Sequence, residues 1–308
     1  MKSYVRWAVI GLGLALLAGA LPLFGQHPSK ADPSRNHVEF TFDGDRRVVF
    51  SNGIPDHETG YFPNRNNPFG IRVQRHRLAM PRNPVVAVEP TAIGVREFGV
   101  AINGVPFDPA GPFLRGDRGS GWEFEPSHPE VGAYLGVDQN NAHTQGGGAY
   151  HYHGLPEGLY RRLVSEAGGE ERRMLLMGWA ADGFPVYGPF AHVDASDPSS
   201  PLREMRSSYV LRTGTRPEPP GGSFDGWFLQ DYEYRSDAGD LDECNGRYGV
   251  TPEFPNGTYY YMLTYKFPFV PRMFRGTPDD SFLPPGGGPG PGEVPPGLKN
   301  YPRLQPPR

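Results

Sequence analysis

Three times the chain runs into Asn-Gly or Asp-Gly, one apolar residue and then proline. The three stretches are Asn52-Gly53-Ile54-Pro55, Asn103-Gly104-Val105-Pro106 and Asp182-Gly183-Phe184-Pro185. Asn-Gly and Asp-Gly favour two-residue hairpin turns, and the proline confines the returning strand to an edge or a bulge. With 42 glycines and 36 prolines among 308 residues, the chain signals many turns and few long helices. The expected class is α+β and mainly β: short strands and hairpins in one compact domain with one or few short helices. The flanks of the three turns do not match, so the pattern reads as recurrent turn chemistry rather than duplication.

Within that frame, His143 to Gly154 reads H-T-Q-G-G-G-A-Y-H-Y-H-G and holds three of the nine histidines. Tyr150, His151, Tyr152 and His153 alternate. A strand has a side-chain period of two, so the histidines take one face and the tyrosines the other. Gly146 to Gly148 permit a reversal that carries His143 back toward the same face. Three converging imidazoles make a metal site with an open position, suited to zinc or copper. The competing reading is a polar cluster in which the histidines satisfy backbone groups. His57, just past the first turn, is the candidate fourth ligand of a closed site. Asp182, Asp240 and Asp242 are the candidates for steadying a ligand's tautomer or moving a proton.

Composition bounds the rest. The formal net charge is −4 and no basic stripe is visible, which speaks against a nucleic-acid partner. Mean hydropathy is −0.53, that of a polar, soluble body. The single cysteine, Cys244, forbids an intrachain disulfide and reads as a buried thiol. Serine-nucleophile elbows, dinucleotide fingerprints and phosphate loops are missing.

Lys2 and Arg6 followed by the apolar run Trp7 to Leu17 and the small residues Ala18-Gly19-Ala20 read as a signal peptide over residues 1–24. The expected setting is therefore exported, periplasmic or secreted, with no stable membrane span after cleavage. A linker is expected over 25–36, the domain over 37–276 and a disordered Pro/Gly-rich tail over 277–308. Expected elements include a hairpin from His37 to Phe50, a helix from Glu157 to Arg173, and strands at Val85–Val88, Ile93–Val95, Trp122–Glu125, Met174–Ala180, Tyr209–Leu211 and Gly257–Tyr265.

The Tyr150-His151-Tyr152-His153 tetrapeptide resembles the mark of the YHYH-domain family. Further blocks carry the resemblance over Ser51 to Gly276: Ser51 to His57, Asn67-Pro68, Asp182 to Pro189 and Asp240 to Arg247. It implies a domain, an exported setting and a metal site, and no particular reaction. Family cysteines expected near Asp138–His143 and Met273 are missing here, so those bridges are absent. The expected partner is a metal ion or a small molecule. The alternative function is a non-catalytic secreted interaction or structural domain.

Overall fold

A computed structural model describes residues 27–284. The expected signal peptide and the end of the expected tail lie outside them. The architecture is α+β and mainly β. Strands β1 (Val38–Asp43), β2 (Arg46–Ser51) and β3 (His76–Pro81) form an antiparallel sheet. The β1–β2 hairpin turns at Gly44, whose φ of +58° needs no Cβ penalty.

An eight-stranded sheet carries the rest of the frame. Its strands are β4 (Gly99–Ala101), β5 (Pro106–Phe107), β6 (Ala142–Thr144), β7 (Tyr150–Tyr152), β8 (Leu176–Ala180), β9 (Pro185–Tyr187), β10 (Gly246–Gly249) and β11 (Thr258–Met262). Their order across the sheet is β10-β11-β9-β8-β4-β5-β7-β6. Two α-helices are present among the described residues: α1 (Pro129–Leu135) and α2 (Glu157–Glu166).

That order is one arrangement made twice. In each half a hairpin, β4–β5 or β8–β9, is followed by a parallel strand, β7 or β11, with β6 or β10 antiparallel outside it. The two turns match bond for bond. Ala101 N–H donates to the Val105 carbonyl as Ala180 N–H does to Phe184, and Gly104 N–H donates to Ala101 as Gly183 N–H does to Ala180.

The outer strands match as well. Asp138 N–H donates to the Ala142 carbonyl as Asp242 N–H does to Gly246. Asn141 (φ +54°) corresponds to Asn245 (φ +55°), and their carbonyls accept from His153 N–H and Met262 N–H. The halves meet at β4–β8, where Val100 faces Trp179 and Gly99 and Gly178 occupy equivalent positions. A Cβ on Gly99 would lie 2.4 Å from the Trp179 carbonyl oxygen, and one on Gly178 2.3 Å from that of Val100. Duplication, rather than recurrent turn chemistry alone, therefore explains two of the three turns. The flanks hid it because almost nothing but turn and anchor residues is shared.

The shared face is the core. Tyr150, Tyr152, Tyr259 and Tyr261 point into one cluster with Phe98, Phe107 and Phe274. On the other face the second half packs an apolar cluster of Tyr187, Tyr260, Met262, Met205 and Leu241.

Several expectations are corrected. The helix ends at Glu166 rather than Arg173, because Gly168 and Gly169 take positive φ. Val85–Val88 forms no strand: Val85 and Val88 are 77% and 94% exposed. Near Ile93 the strand is Thr91–Ala92, paired with Met273–Phe274. Trp122–Glu125 makes only isolated bridges. The packed body also runs past Gly276: Phe282 is buried in the core and Asp279 pairs with Arg46. Before His37, Asn36 already ties Ile54 and Asn103 together through its side-chain amide.

Asn245 holds a left-handed backbone and donates its amide to the Met262 carbonyl. Asn245→Ala is expected to cost about 2 kcal/mol, from αL strain plus the lost bond. Asn245→Gly should cost less. Urea denaturation of both variants checks the order.

Candidate metal centre

Strand β7 pairs with β6 so that His151 faces His143, and His153 follows one residue past the strand end. The three rings stand almost perpendicular to one another, with centroids 4.7–4.8 Å apart and interplanar angles of 72–81°. All three are enclosed: His143 is 9% exposed, His151 3% and His153 2%. One ligand atom from each lies within 4.8 Å of the others.

The geometry fixes which nitrogen faces inward. Nδ1 of His143 meets the Leu135 carbonyl at 2.9 Å, so Nδ1 carries the proton and Nε2 presents its lone pair. That carbonyl belongs to the last residue of α1, which no sequence pattern announced. Nε2 of His151 and Nε2 of His153 are 3.0 Å apart. Two imidazoles on one zinc, each about 2.0–2.1 Å away in tetrahedral geometry, have nitrogens about 3.3 Å apart. The pair is thus near a shared-ion spacing, and the His143 ligand atom lies within 4.8 Å of both.

Burial holds the trio neutral. Desolvation, then the neighbouring His151, push His143 down to about 3. Desolvation lowers His151 to about 4. His153 falls well below the usual histidine range through burial, its two partners and Arg272. Neutral imidazoles are the form a cation needs.

The remaining sequence candidates lie elsewhere. His57, the expected fourth ligand, is on the tyrosine face. Its Nε2 accepts from the Tyr152 hydroxyl at 2.7 Å and its Nδ1 faces the Glu58 carbonyl. The Asn103 amide also donates to that hydroxyl, at 2.9 Å. In the second half the corresponding pair is Asp182 and Tyr261, with the phenol donating at 2.5 Å. Asp242 accepts from Tyr259, as Asp138 does from Tyr150. Asp240 is clamped by Arg203 through both oxygens at 2.7–2.8 Å. Asp182, Asp240 and Asp242 make no hydrogen bond to a trio histidine, so the roles expected of them there have no contact to support them. Cys244 is buried and free.

Equivalent positions in the two halves separate frame from site. The phenols of Tyr150 and Tyr152, Asn141 and Asp138 all have working counterparts. His143, His151 and His153 correspond to Arg247, Tyr260 and Met262. There, Arg247 Nε donates to the Tyr260 hydroxyl at 2.7 Å and Met262 packs in the apolar cluster. The frame therefore stands without histidines at those places.

A scan against family models matches residues 77–276 to the YHYH protein family, which is more than half of the chain. The chain belongs to the YHYH family. The YHYH match begins at Arg77, so the resemblance at Ser51 to His57 and Asn67-Pro68 falls before it. No curated protein and no solved structure matches the chain.

Buried neutral histidines bind fewer protons folded than unfolded. Their contribution to stability is intact above the unfolded histidine range near about pH 6.5 and is lost as pH falls through the folded values. In metal-free protein, His143→Gln should flatten the loss of stability below that pH. Carboxyls with raised values, such as Asp182, act in the opposite sense in both proteins and cancel in the comparison. Urea midpoints of the two proteins across acid pH check this.

Proposed function

We propose that this YHYH protein is an exported metalloprotein in which His143, His151 and His153 hold a zinc or copper ion at an open site, and that it is a metal-dependent enzyme. The observation that carries the reading is the convergence of three buried, neutral imidazoles on one point. Three protein ligands are the donor count of catalytic zinc centres, and four that of structural ones. His57, held by Tyr152 and Glu58, does not supply the fourth. An ion there would supply Lewis acidity to a ligand in its remaining position.

The chain's own residues do the positioning. Leu135 orients His143, and the anchored phenols of Tyr150 and Tyr152 fix the face that His151 and His153 take. Export rests on the basic start, apolar run and small residues of positions 2–20. No helix among the described residues is long and apolar enough to cross a membrane.

One observation favours a structural role instead: His151 and His153 are within hydrogen-bond distance of each other and can satisfy one another without an ion. Against it, the second half keeps the frame with none of the three histidines.

Elemental analysis of untagged protein after dialysis decides between the two. Wild type is expected to retain one zinc or copper per chain, and His151→Ala/His153→Ala none. Equal metal content in both would leave only the structural role. Export is checked by fractionating cells that express the full chain: the expected product is extracytoplasmic and begins after the Ala18-Gly19-Ala20 segment. Uncleaved protein confined to the cytoplasm would overturn it.

A further inference from the structure

We propose that Asn67 is a positioning residue of the histidine centre: its side-chain amide fixes the Leu135 carbonyl against Nδ1–H of His143 and so leaves Nε2 as the lone pair of that ring. The consequence for a bound ion rests on the metal reading above; the consequence for the ring does not.

The end of α1 creates the need. The last carbonyls of a helix have no partner within it. Here Gly136 takes a φ of +71° and its N–H turns back to the Ala133 and Gly132 carbonyls. The loop 64–67 brings further donors to this end. Asn66 Nδ2 donates to the Ala133 carbonyl at 2.7 Å, Asn64 Nδ2 to that of Gly136 at 3.0 Å and Asn67 Nδ2 to that of Leu135 at 3.3 Å. The fit is close: a Cβ on Gly136 would lie 2.9 Å from Cβ of Asn67 and 2.5 Å from Oδ1 of Asn64. A carbonyl has two lone pairs. Asn67 takes one on Leu135, and Nδ1 of His143, at 2.9 Å, takes the other.

Asn67 differs from the other two asparagines in gripping both sides of that contact. It is fully buried, whereas Asn66 is exposed. Its Nδ2 also donates at 2.7 Å to the carbonyl of Thr144, the residue after His143 on β6. Its Oδ1 accepts from Phe69 N–H at 3.0 Å and lies 3.1 Å from the Thr144 hydroxyl. Both amide hydrogens therefore go to carbonyls. One belongs to the helix that supplies the acceptor, the other to the strand that supplies the imidazole. Asn64 steadies the turn in its own right, with Oδ1 accepting from Asn66 N–H and Asn67 N–H at 3.0 and 2.9 Å.

The chemical consequence runs through the shared carbonyl. It carries the partial negative charge of a helix C-terminus. An imidazole that donates one N–H to such a group has its tautomer fixed and its other nitrogen made more basic. Once the helix end and the strand are no longer tied, the ring is free to take the other tautomer, whose Nε2 carries the proton and cannot hold a cation.

The test takes two readouts from the full-length protein. In the metal-free state, nitrogen-15 NMR distinguishes protonated from unprotonated ring nitrogens. Wild-type His143 is expected to carry its proton on Nδ1; a proton on Nε2 would overturn the proposal whatever the variants do. Asn67→Asp keeps the shape and Oδ1 but loses both donors, and should mix the two tautomers at His143. Asn67→Ala brings no charge into the interior and carries the comparison if Asn67→Asp does not fold. Asn66→Ala removes a cap from the same helix end without touching Leu135, so it should lower the unfolding midpoint and leave the His143 nitrogens as they are. Competition with a chromophoric chelator then reads zinc affinity, expected to fall about 10–100-fold in the Asn67 variants and to hold in Asn66→Ala. Folded Asn67 variants with the wild-type tautomer and zinc affinity would overturn the proposal and leave the metal reading standing. Equal losses in Asn66→Ala would also overturn it, because any loosening of the helix end would then suffice. Wild type that binds no zinc would bring down the metal reading alone, with the ring nitrogens still deciding the positioning.

Discussion

Everything at the histidine centre depends on where two phenols go. Tyr150 and Tyr152 are fully buried, and each hydroxyl has a partner: Asp138 for one, Asn103 and His57 for the other. A one-residue slip of β7 would put histidines into the aromatic core and phenols on the opposite face. It would also orphan several buried polar groups, each costing about 1–3 kcal/mol. The tyrosines therefore fix the register, and the register aims the imidazoles. The tetrapeptide is an anchoring phenol face and a histidine face interleaved at the period of a strand.

Duplication lets the chain serve as its own comparison. Positions that keep the same bonds in both halves are frame: Asp138 with Asp242, Asn141 with Asn245, and the four core tyrosines. Positions where the halves diverge lie on the outer face. The second half fills that face with Tyr187, Tyr260 and Met262, a buried cluster whose hydroxyls are paired with Thr251, Glu253 and Arg247. The first half puts His143, His151 and His153 there. Burying polar groups in place of an apolar cluster is unfavourable by itself, and such a departure from the local rule marks function more often than packing.

Much of this was legible in the sequence. The alternation Tyr150-His151-Tyr152-His153 sets the faces, and Gly146 to Gly148 return the chain so that His143 meets His151. The hairpins at Asn103-Gly104 and Asp182-Gly183 follow from turn chemistry. What stayed hidden depended on long-range pairing. The parallel contact between β5 and β7 pairs Phe107 with Tyr152 and ties the Asp108 N–H to the Tyr152 carbonyl, and no local period encodes it. Asp182 and Asp242 looked catalytic because carboxylates near turns do. Their partners, Tyr261 and Tyr259, come from a strand far along the chain. The end of the folded body was misjudged because Pro- and Gly-rich composition masks the one residue that matters there, Phe282, which fills a core site.

The seam between the halves has a meaning of its own. Gly99 and Gly178 sit at equivalent places across it, each beneath a carbonyl of the other half, with Val100 facing Trp179 on the axis. Both strands contribute the same positions, which is the symmetry of a two-fold subunit interface in which one patch meets its own copy. Here that interface lies within a single polypeptide. A pair of identical subunits must carry every change twice. This chain can let one side diverge to histidines and leave the other as ballast that keeps the sheet intact.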